Sequence, residues 1–217
     1  MPLPSDDVPE AVWTIVVAGG SGQRFGKPKQ FEELGGRRVL DWAVAAASDA
    51  SDGVVLVLPA ANVDRSNPLE VAGGATRSES VRNGLAAVPE NATVVCVHDA
   101  ARPFASSRVF AAVIGAVAGG ADAAVPGVPV VDTIKVVAAD GTVMSTPDRS
   151  TLVAVQTPQA FRAASLRAAH AAGAEGTDDA ALVERLGGKV VVVPGEPRNR
   201  KITEPNDLAW ARSEVGR

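Results

Sequence analysis

From Gly19 to Phe31 the chain reads GGSGQRFGKPKQF, straight after the apolar run WTIVVA. Gly19, Gly20 and Gly22 leave backbone N–H groups open to a ligand at the end of a strand, because no side chain keeps it away. Arg24, Lys27 and Lys29 add three cations with no acid among them, more positive charge than a turn needs. Phosphate is the guest that glycine and clustered cations suit together, and a solvated basic loop is the plainer alternative. Two familiar phosphate loops fail on spacing. The Walker pattern would need Gly where Ser21 stands and Ser or Thr where Pro28 stands, and the dinucleotide fingerprint would need a third glycine at Phe25.

Other residues invite the same question. Asp99 in VHDAARP follows an apolar run, the position from which α/β sheets present ligand-binding groups, although an aspartate there also caps helices. Arg102 suits either an anionic ligand or the sheet edge. Thr177 and Asp178 stand at the start of a helical pattern, where an N-cap satisfies the same residue types. Thr203 precedes Pro205 and is close to Lys201. His98 and His170 are the two histidines and read as structural or exposed rather than metal-binding, and Gln159 reads as structural. The single cysteine, Cys96, excludes an internal disulfide and a Cys-rich zinc site, and in VVCV it reads as a buried small hydrophobe.

These residues need a scaffold. Short β-rich runs (VWTIVVA, GVVLVLP, TVVCVHD, AAVPGVPVV and GKVVVVP) alternate with helical patterns, as in an α/β, Rossmann-like, mostly parallel mixed sheet flanked by helices. VLDWAVAAASDA, FAAVIGAVAG, SLRAAHAA, the stretch opening at TDDAALVERL and Pro205 to about Ser213 read as helices, Pro205 suiting the first turn. TRSESVRNGLAAV opens with Thr76 and Glu79 at capping-box spacing. From about 130 to 156 the alternation breaks: TIKVVAADGTVM reads as a hairpin around Asp140 and Gly141, an arm projecting from the core.

The chain has 217 residues, 46% hydrophobic, which is enough for one domain spanning 1–217 with an added arm. A net charge of −4 argues against a nucleic-acid binder. Residues 1–11 read as a disordered lead-in rather than a signal peptide, and no apolar stretch is continuous enough to span a membrane. A cytoplasmic enzyme is expected.

GGSGQRF followed by KPKQF resembles the sugar-phosphate nucleotidyltransferases and, more narrowly, the 2-C-methyl-D-erythritol 4-phosphate cytidylyltransferase family. GGATRSESVRNGL, VHDAARP, PVVDTIK, VQTPQAF, TDDAALVE and RKITEPNDL follow in that family's order, so nearly the whole chain after the lead-in is covered. The resemblance implies attack of an acceptor phosphate on the α-phosphate of CTP. A phosphate nucleophile is already ionised near neutral pH, so positioning and charge neutralisation take the place of a Ser-His-Asp triad.

By resemblance Arg24, Lys29 and Lys201 are catalytic. Ala18, Gly19, Gly20, Ser21, Gly22, Gly74, Ser80 and Asp99 would hold the nucleotide. Asp99, Ala100, Arg102, Thr133, Arg149, Thr177, Lys201 and Thr203 would hold the polyol phosphate. Mg²⁺ is the implied cofactor, with Asp99 its carboxylate, because a hard cation bridging triphosphate oxygens needs one nearby. Thr133 and Arg149 belong to the arm and imply a homodimer that shares its sites. Where some relatives carry an acid after the paired glycines this chain has Ala75, which shifts base recognition onto backbone groups. Lys27 either supplements Lys29 or faces water. Ribitol 5-phosphate is the rival acceptor, and a nucleotide-binding sensor without turnover is the rival class.

Overall fold

The computed structural model describes residues 11–20, 22, 25–171 and 173–215. The expected lead-in, apart from Ala11, and the site candidates Ser21 and Arg24 lie outside the described residues.

In chain order the strands and helices are β1 (Val12–Val17), a hairpin of β2 (Glu33–Leu34) and β3 (Arg37–Arg38), α1 (Val39–Ser48), β4 (Gly53–Leu58), β5 (Glu70–Ala72), α2 (Arg77–Ala87), β6 (Val94–Asp99), α3 (Ser107–Ala118) and β7 (Ala123–Pro129). There follow β8 (Val136–Val137), β9 (Val143–Ser145), β10 (Val153–Val155), β11 (Gln159–Arg162), α4 (Ala163–Ala171), α5 (Asp179–Arg185), β12 (Val190–Pro194) and α6 (Pro205–Glu214). The main sheet runs β10-β7-β11-β6-β1-β4-β5, with β12 also paired to β7. β5, β4, β1 and β6 are parallel neighbours, as are β7 and β12, while β10 and β11 run antiparallel. The mixed, mostly parallel sheet flanked by helices is the one the alternation of runs implies.

Burial on both faces explains why the central strands read as near-continuous apolar runs. Every residue of β6 is buried. Along it, Val95 and Val97 join Ile15, Val81, Leu85, Phe161, Leu166 and Leu182 in the layer made with α2, α4 and α5. Val94 and Cys96 join Val16, Leu40, Ala43, Phe110 and Val113 in the layer made with α1 and α3. Phe161 and Phe110, both fully buried, anchor the two layers, and each contributes about 2–3 kcal/mol of apolar transfer energy. A third, smaller cluster sets Phe25 beside Leu34, Val39, Ile202 and Leu208, so that the loop after β1 and the segment before α6 rest on one apolar support.

Several details differ from the sequence pattern. β11 is a strand where the pattern shows none. QAFR carries a polar residue at each end and follows Pro158, yet it is inserted antiparallel between β6 and β7. Gln159, fully buried on it, donates to Asp178 at 2.9 Å and so holds the start of α5. β5 and the β2–β3 hairpin are too short to show a period. At the start of α2 the capping box is half made: Thr76 accepts from the Glu79 amide at 3.1 Å, but the Glu79 carboxylate returns to the amide of Ala75 at 2.7 Å, one residue before the cap.

Strands β8 and β9 pair only with each other. Gly141 turns the hairpin at φ +85°, a left-handed conformation that a side chain would disfavour, and Asp140 accepts from the Thr142 amide at 2.9 Å. Val137 and Met144 on this hairpin are 57% and 67% exposed, so it projects from the main sheet without a cover of its own. Among the described residues no helix is long and apolar enough to cross a membrane.

Candidate active site

Parallel pairing decides which loops meet. β1 and β6 are in register to Val17 opposite Asp99, so the glycine loop and the Asp99 loop leave the sheet side by side. The amide of Ala18 bonds the Val57 carbonyl, that of Ala100 bonds Val17 and that of Gly73 bonds Leu58, all at 2.8–3.1 Å. The three loops and the segment before α6 enclose a cavity of about 560 Å³, lined among others by Gly19, Gly20, Lys29, Gly74, Asp99 and Lys201.

The loops need small residues here. A Cβ on Gly19 would stand 3.2 Å from the Cα of Gly73, and one on Gly73 would stand 3.2 Å from the Cα of Gly19 and from Ser80 Oγ. Gly22 has φ +70°, and a Cβ there would collide with the Lys27 carbonyl. The Ser80 hydroxyl accepts from the Gly74 amide at 3.1 Å and donates to the Thr76 carbonyl at 2.9 Å, which shapes the turn between β5 and α2. Gln30, only 4% exposed, donates to the carbonyls of Ala18 at 2.8 Å and Gly20 at 3.0 Å. One side chain thereby sets which way the loop's peptide groups face.

Asp99 is the electrostatic centre. Its Oδ2 takes Lys201 Nζ at 2.5 Å, and its Oδ1 lies 3.5 Å from Arg77 Nε. Burial would by itself raise this carboxyl, but Lys201, Arg77 and Arg102 outweigh it and hold Asp99 well below the usual carboxylate range. Arg77 also donates to Asp179 at 2.7 Å, and Asp179, with its side chain fully buried, takes His170 Nε2 at 3.0 Å. His98 is structural. Thr157 Oγ1 accepts from the Asp99 amide at 2.9 Å and so has its proton for His98 Nδ1 at 3.1 Å, while His98 Nε2 meets the Arg102 carbonyl at 3.2 Å. Burial lowers His98 to about 4, so it stays neutral near pH 7.

The cavity gathers Ala18, Gly19, Gly20, Gly22, Lys29, Gly74, Ser80, Asp99, Ala100 and Lys201 from the sequence candidates. Lys27 is not among the lining residues and pairs with Glu32 at 2.8 Å. Arg102 turns to the sheet edge, donating to the carbonyls of Asn199 at 2.7 Å and Val155 at 3.5 Å. Thr177 is exposed ahead of α5, whose cap is Asp178, accepting from Ala181 at 2.9 Å. Thr203 donates its amide to Asp207 at 2.8 Å. Thr133 is exposed on the arm, and Arg149 donates to the Val131 carbonyl at 2.7 Å; neither lines the cavity of its own chain. Among the described residues no three His, Cys, Asp or Glu side chains gather as a metal cage, and Asp99 is the sole carboxylate in the lining. A cation here would need oxygens from a ligand, which is how Mg²⁺ is usually held with phosphates.

Arg77 and Gln30 also line the cavity and are not among the sequence candidates. Arg77 had one faint signal: it opens α2, where a cation opposes the helix dipole and needs anionic company. Gln30 had none, since a glutamine between Lys29 and Phe31 looks like any loop residue.

A family model described as IspD: 2-C-methyl-D-erythritol 4-phosphate cytidylyltransferase matches residues 12–217. The 2-C-methyl-D-erythritol 4-phosphate cytidylyltransferase of Nocardia farcinica is 44% identical over 219 residues, 95% of this chain and 95% of its own length. A bifunctional enzyme IspD/IspF of Solidesulfovibrio magneticus is 43% identical over 224 residues, covering 92% of this chain; the chain spans 56% of that longer relative. Among solved structures, 4-diphosphocytidyl-2C-methyl-D-erythritol synthase from Anaerococcus prevotii superposes with a TM-score of 0.83 at 31% identity, over 96% of this chain and 99% of its own.

Proposed function

The chain belongs to the 2-C-methyl-D-erythritol 4-phosphate cytidylyltransferase family, and from that premise we propose that it joins CTP to 2-C-methyl-D-erythritol 4-phosphate with release of pyrophosphate, a step of isoprenoid precursor biosynthesis. An oxygen of the acceptor phosphate forms a bond to the α-phosphorus while the bond to the pyrophosphate oxygen breaks. No proton has to move in that exchange. The barrier is the approach of two polyanions, so the work falls to fixed cations. The observation that carries the reading is that Lys29, from the glycine-loop side, and Lys201, from the segment before α6, line one cavity with Asp99 between the loops.

In this scheme Ala18, Gly19, Gly20, Ser21, Gly22, Gly74 and Ser80 form the cradle for the nucleotide. Arg24 and Lys29 neutralise the α-phosphate and the leaving pyrophosphate, and Lys201 faces the acceptor. Asp99 would hold a divalent cation brought in with the triphosphate, which would supply further charge neutralisation at the reacting phosphates, and Lys201 would then turn to phosphate. Asp99, Ala100, Arg102, Thr177 and Thr203 border the acceptor side. We further read residues 1–217 as one nucleotidyltransferase domain and the hairpin segment as a dimerisation arm. Its exposed valines need a cover, and Thr133 and Arg149 would then meet the acceptor in the second copy. We read the reaction as cytoplasmic, a reading with which two small water-soluble anionic substrates agree.

The test is pyrophosphate release from CTP with 2-C-methyl-D-erythritol 4-phosphate, ribitol 5-phosphate or no acceptor, with and without Mg²⁺, beside a sedimentation run. Release only with the first acceptor is expected. Preference for ribitol 5-phosphate would reassign the substrate, tight CTP binding without release would make the protein a sensor, and full activity in a monomer would remove the shared sites.

A further inference from the structure

Asp179 and His170 stand outside the cavity and are joined to its wall through Arg77, which lines the cavity beside Asp99. Asp179 has no exposed side-chain surface, and His170 has 3%. A buried carboxylate is costly unless its oxygens are met. Here both are met, Oδ2 by Arg77 Nη1 at 2.7 Å and Oδ1 by His170 Nε2 at 3.0 Å. Because a carboxylate only accepts, His170 carries its proton on Nε2, and its Nδ1 is buried with no hydrogen-bond partner among the described residues. The loop that delivers the pair is fastened to α2: Arg82 donates to the Ala174 carbonyl at 3.0 Å, and Thr76 and Arg82 both reach Glu175.

Arg77 is therefore shared unevenly between two carboxylates. Its short bond goes to Asp179, and its contact with Asp99 is the long one, 3.5 Å through Nε. A guanidinium with a single carboxylate in reach tends to close on it with two parallel bonds. Were Arg77 to close on Asp99 in that way, it would compete with Lys201 for the same oxygens.

Building on the reading of the cavity as the nucleotidyl-transfer site, we infer that Asp179, braced by His170, is a positioning residue that holds Arg77 back from Asp99 and so keeps the Asp99–Lys201 pair set for the incoming phosphates. The order of bonds runs His170, Asp179, Arg77, Asp99, Lys201, from the core of one helical layer to the cavity wall.

The test compares Asp179→Asn, His170→Phe and His170→Gln with the wild type, in kcat, in KM for the acceptor, in CTP affinity by calorimetry, in melting temperature and in the ¹⁵N-edited spectrum of the Arg77 Nε–H group. Asp179→Asn should lose turnover by on the order of tenfold to a hundredfold, the scale of a displaced reacting group, with CTP affinity nearly kept. The Arg77 Nε–H signal should move as the guanidinium closes on Asp99. His170→Phe should show the same loss, and His170→Gln, which keeps a donor, should recover most of it. If Asp179→Asn does not fold, the two His170 variants carry the comparison. Turnover held in a folded Asp179→Asn, His170→Gln no better than His170→Phe at equal melting temperature, or an unmoved Arg77 signal would overturn the inference. A wild type that releases no pyrophosphate would overturn the reading of the site instead, and the Arg77 spectra would still decide the tether.

Discussion

Lys201 Nζ meets Asp99 Oδ2 at 2.5 Å across a sequence separation of 102 residues. The pair joins the end of β6 to the segment before α6 and puts a cation on the cavity wall before any ligand arrives. Held there, the ammonium can exchange a carboxylate oxygen for a phosphate oxygen with little reorganisation, which is how fixed charges lower a barrier.

Replacing Lys29 or Lys201 by Ala should cut turnover while the protein stays folded. Removing a preorganised charge contact costs about 3 kcal/mol in the barrier, roughly a hundredfold in rate. Lys201→Ala also leaves Asp99 with Arg77 alone at the cavity wall, so its acceptor KM should rise more than that of Lys29→Ala. Steady-state pyrophosphate release with circular dichroism checks both, and a near-normal rate for either would remove that lysine from the scheme.

Acid should destabilise the fold before it touches the paired carboxylates. Burial lowers His98 from the ordinary 6.5 to about 4, so the unfolded chain binds this proton more readily than the folded one. The contribution is fully present above pH 6.5 and is lost as pH falls from 6.5 towards 4, amounting to about 3 kcal/mol over that window. Asp99, held low, releases its contribution only below the ordinary carboxylate value of 3.8, outside that window. Urea midpoints at pH 7 and pH 4.5 should differ accordingly, and His98→Gln should flatten the difference.

Gly19→Ala should weaken CTP binding more than it weakens the fold. The added methyl would press on the Cα of Gly73 at 3.2 Å, and since both partners are backbone, the two loops must part, at about 1–3 kcal/mol for an overpacked contact. Calorimetric CTP affinity, read beside the melting temperature, is the measurement. Unchanged affinity would mean that the approach of these loops is not needed for the nucleotide.

Gln30→Met keeps the length of the side chain and removes its donors. The carbonyls of Ala18 and Gly20 lose their partner, with a cost of about 1–3 kcal/mol if buried carbonyls go unpaired. Both melting temperature and CTP affinity should fall, and adding CTP should restore part of the thermal loss by mass action. A variant equal to the wild type in both would show that the loop holds its shape without Gln30.

Much of the site could be read before the fold was known, because its chemistry is concentrated at strand ends. GGSG and VHD each announce a strand running into a turn, and Gly19, Gly20 and Asp99 do line the cavity. The hairpin at Asp140 and Gly141 was legible for a similar reason: a turn that needs a positive φ advertises itself through glycine. Arg102 shows where such reading stops. Its type suits an anion equally well, and only its surroundings turn it to the carbonyls of Asn199 and Val155.

Local rules acting over a few residues therefore settled the strands, the helices, the glycine loop and the family pattern that runs from it to RKITEPNDL. Partners separated by many tens of residues were settled by packing alone. The insertion of β11 between β6 and β7 brings Thr157 to His98 and the Asp99 amide, and the loop fastened to α2 brings Asp179 to Arg77. A side chain's type specifies what it can bond to, but which donor or carboxylate lies within 3 Å depends on how the layers stack, and that is a property of the whole folded chain.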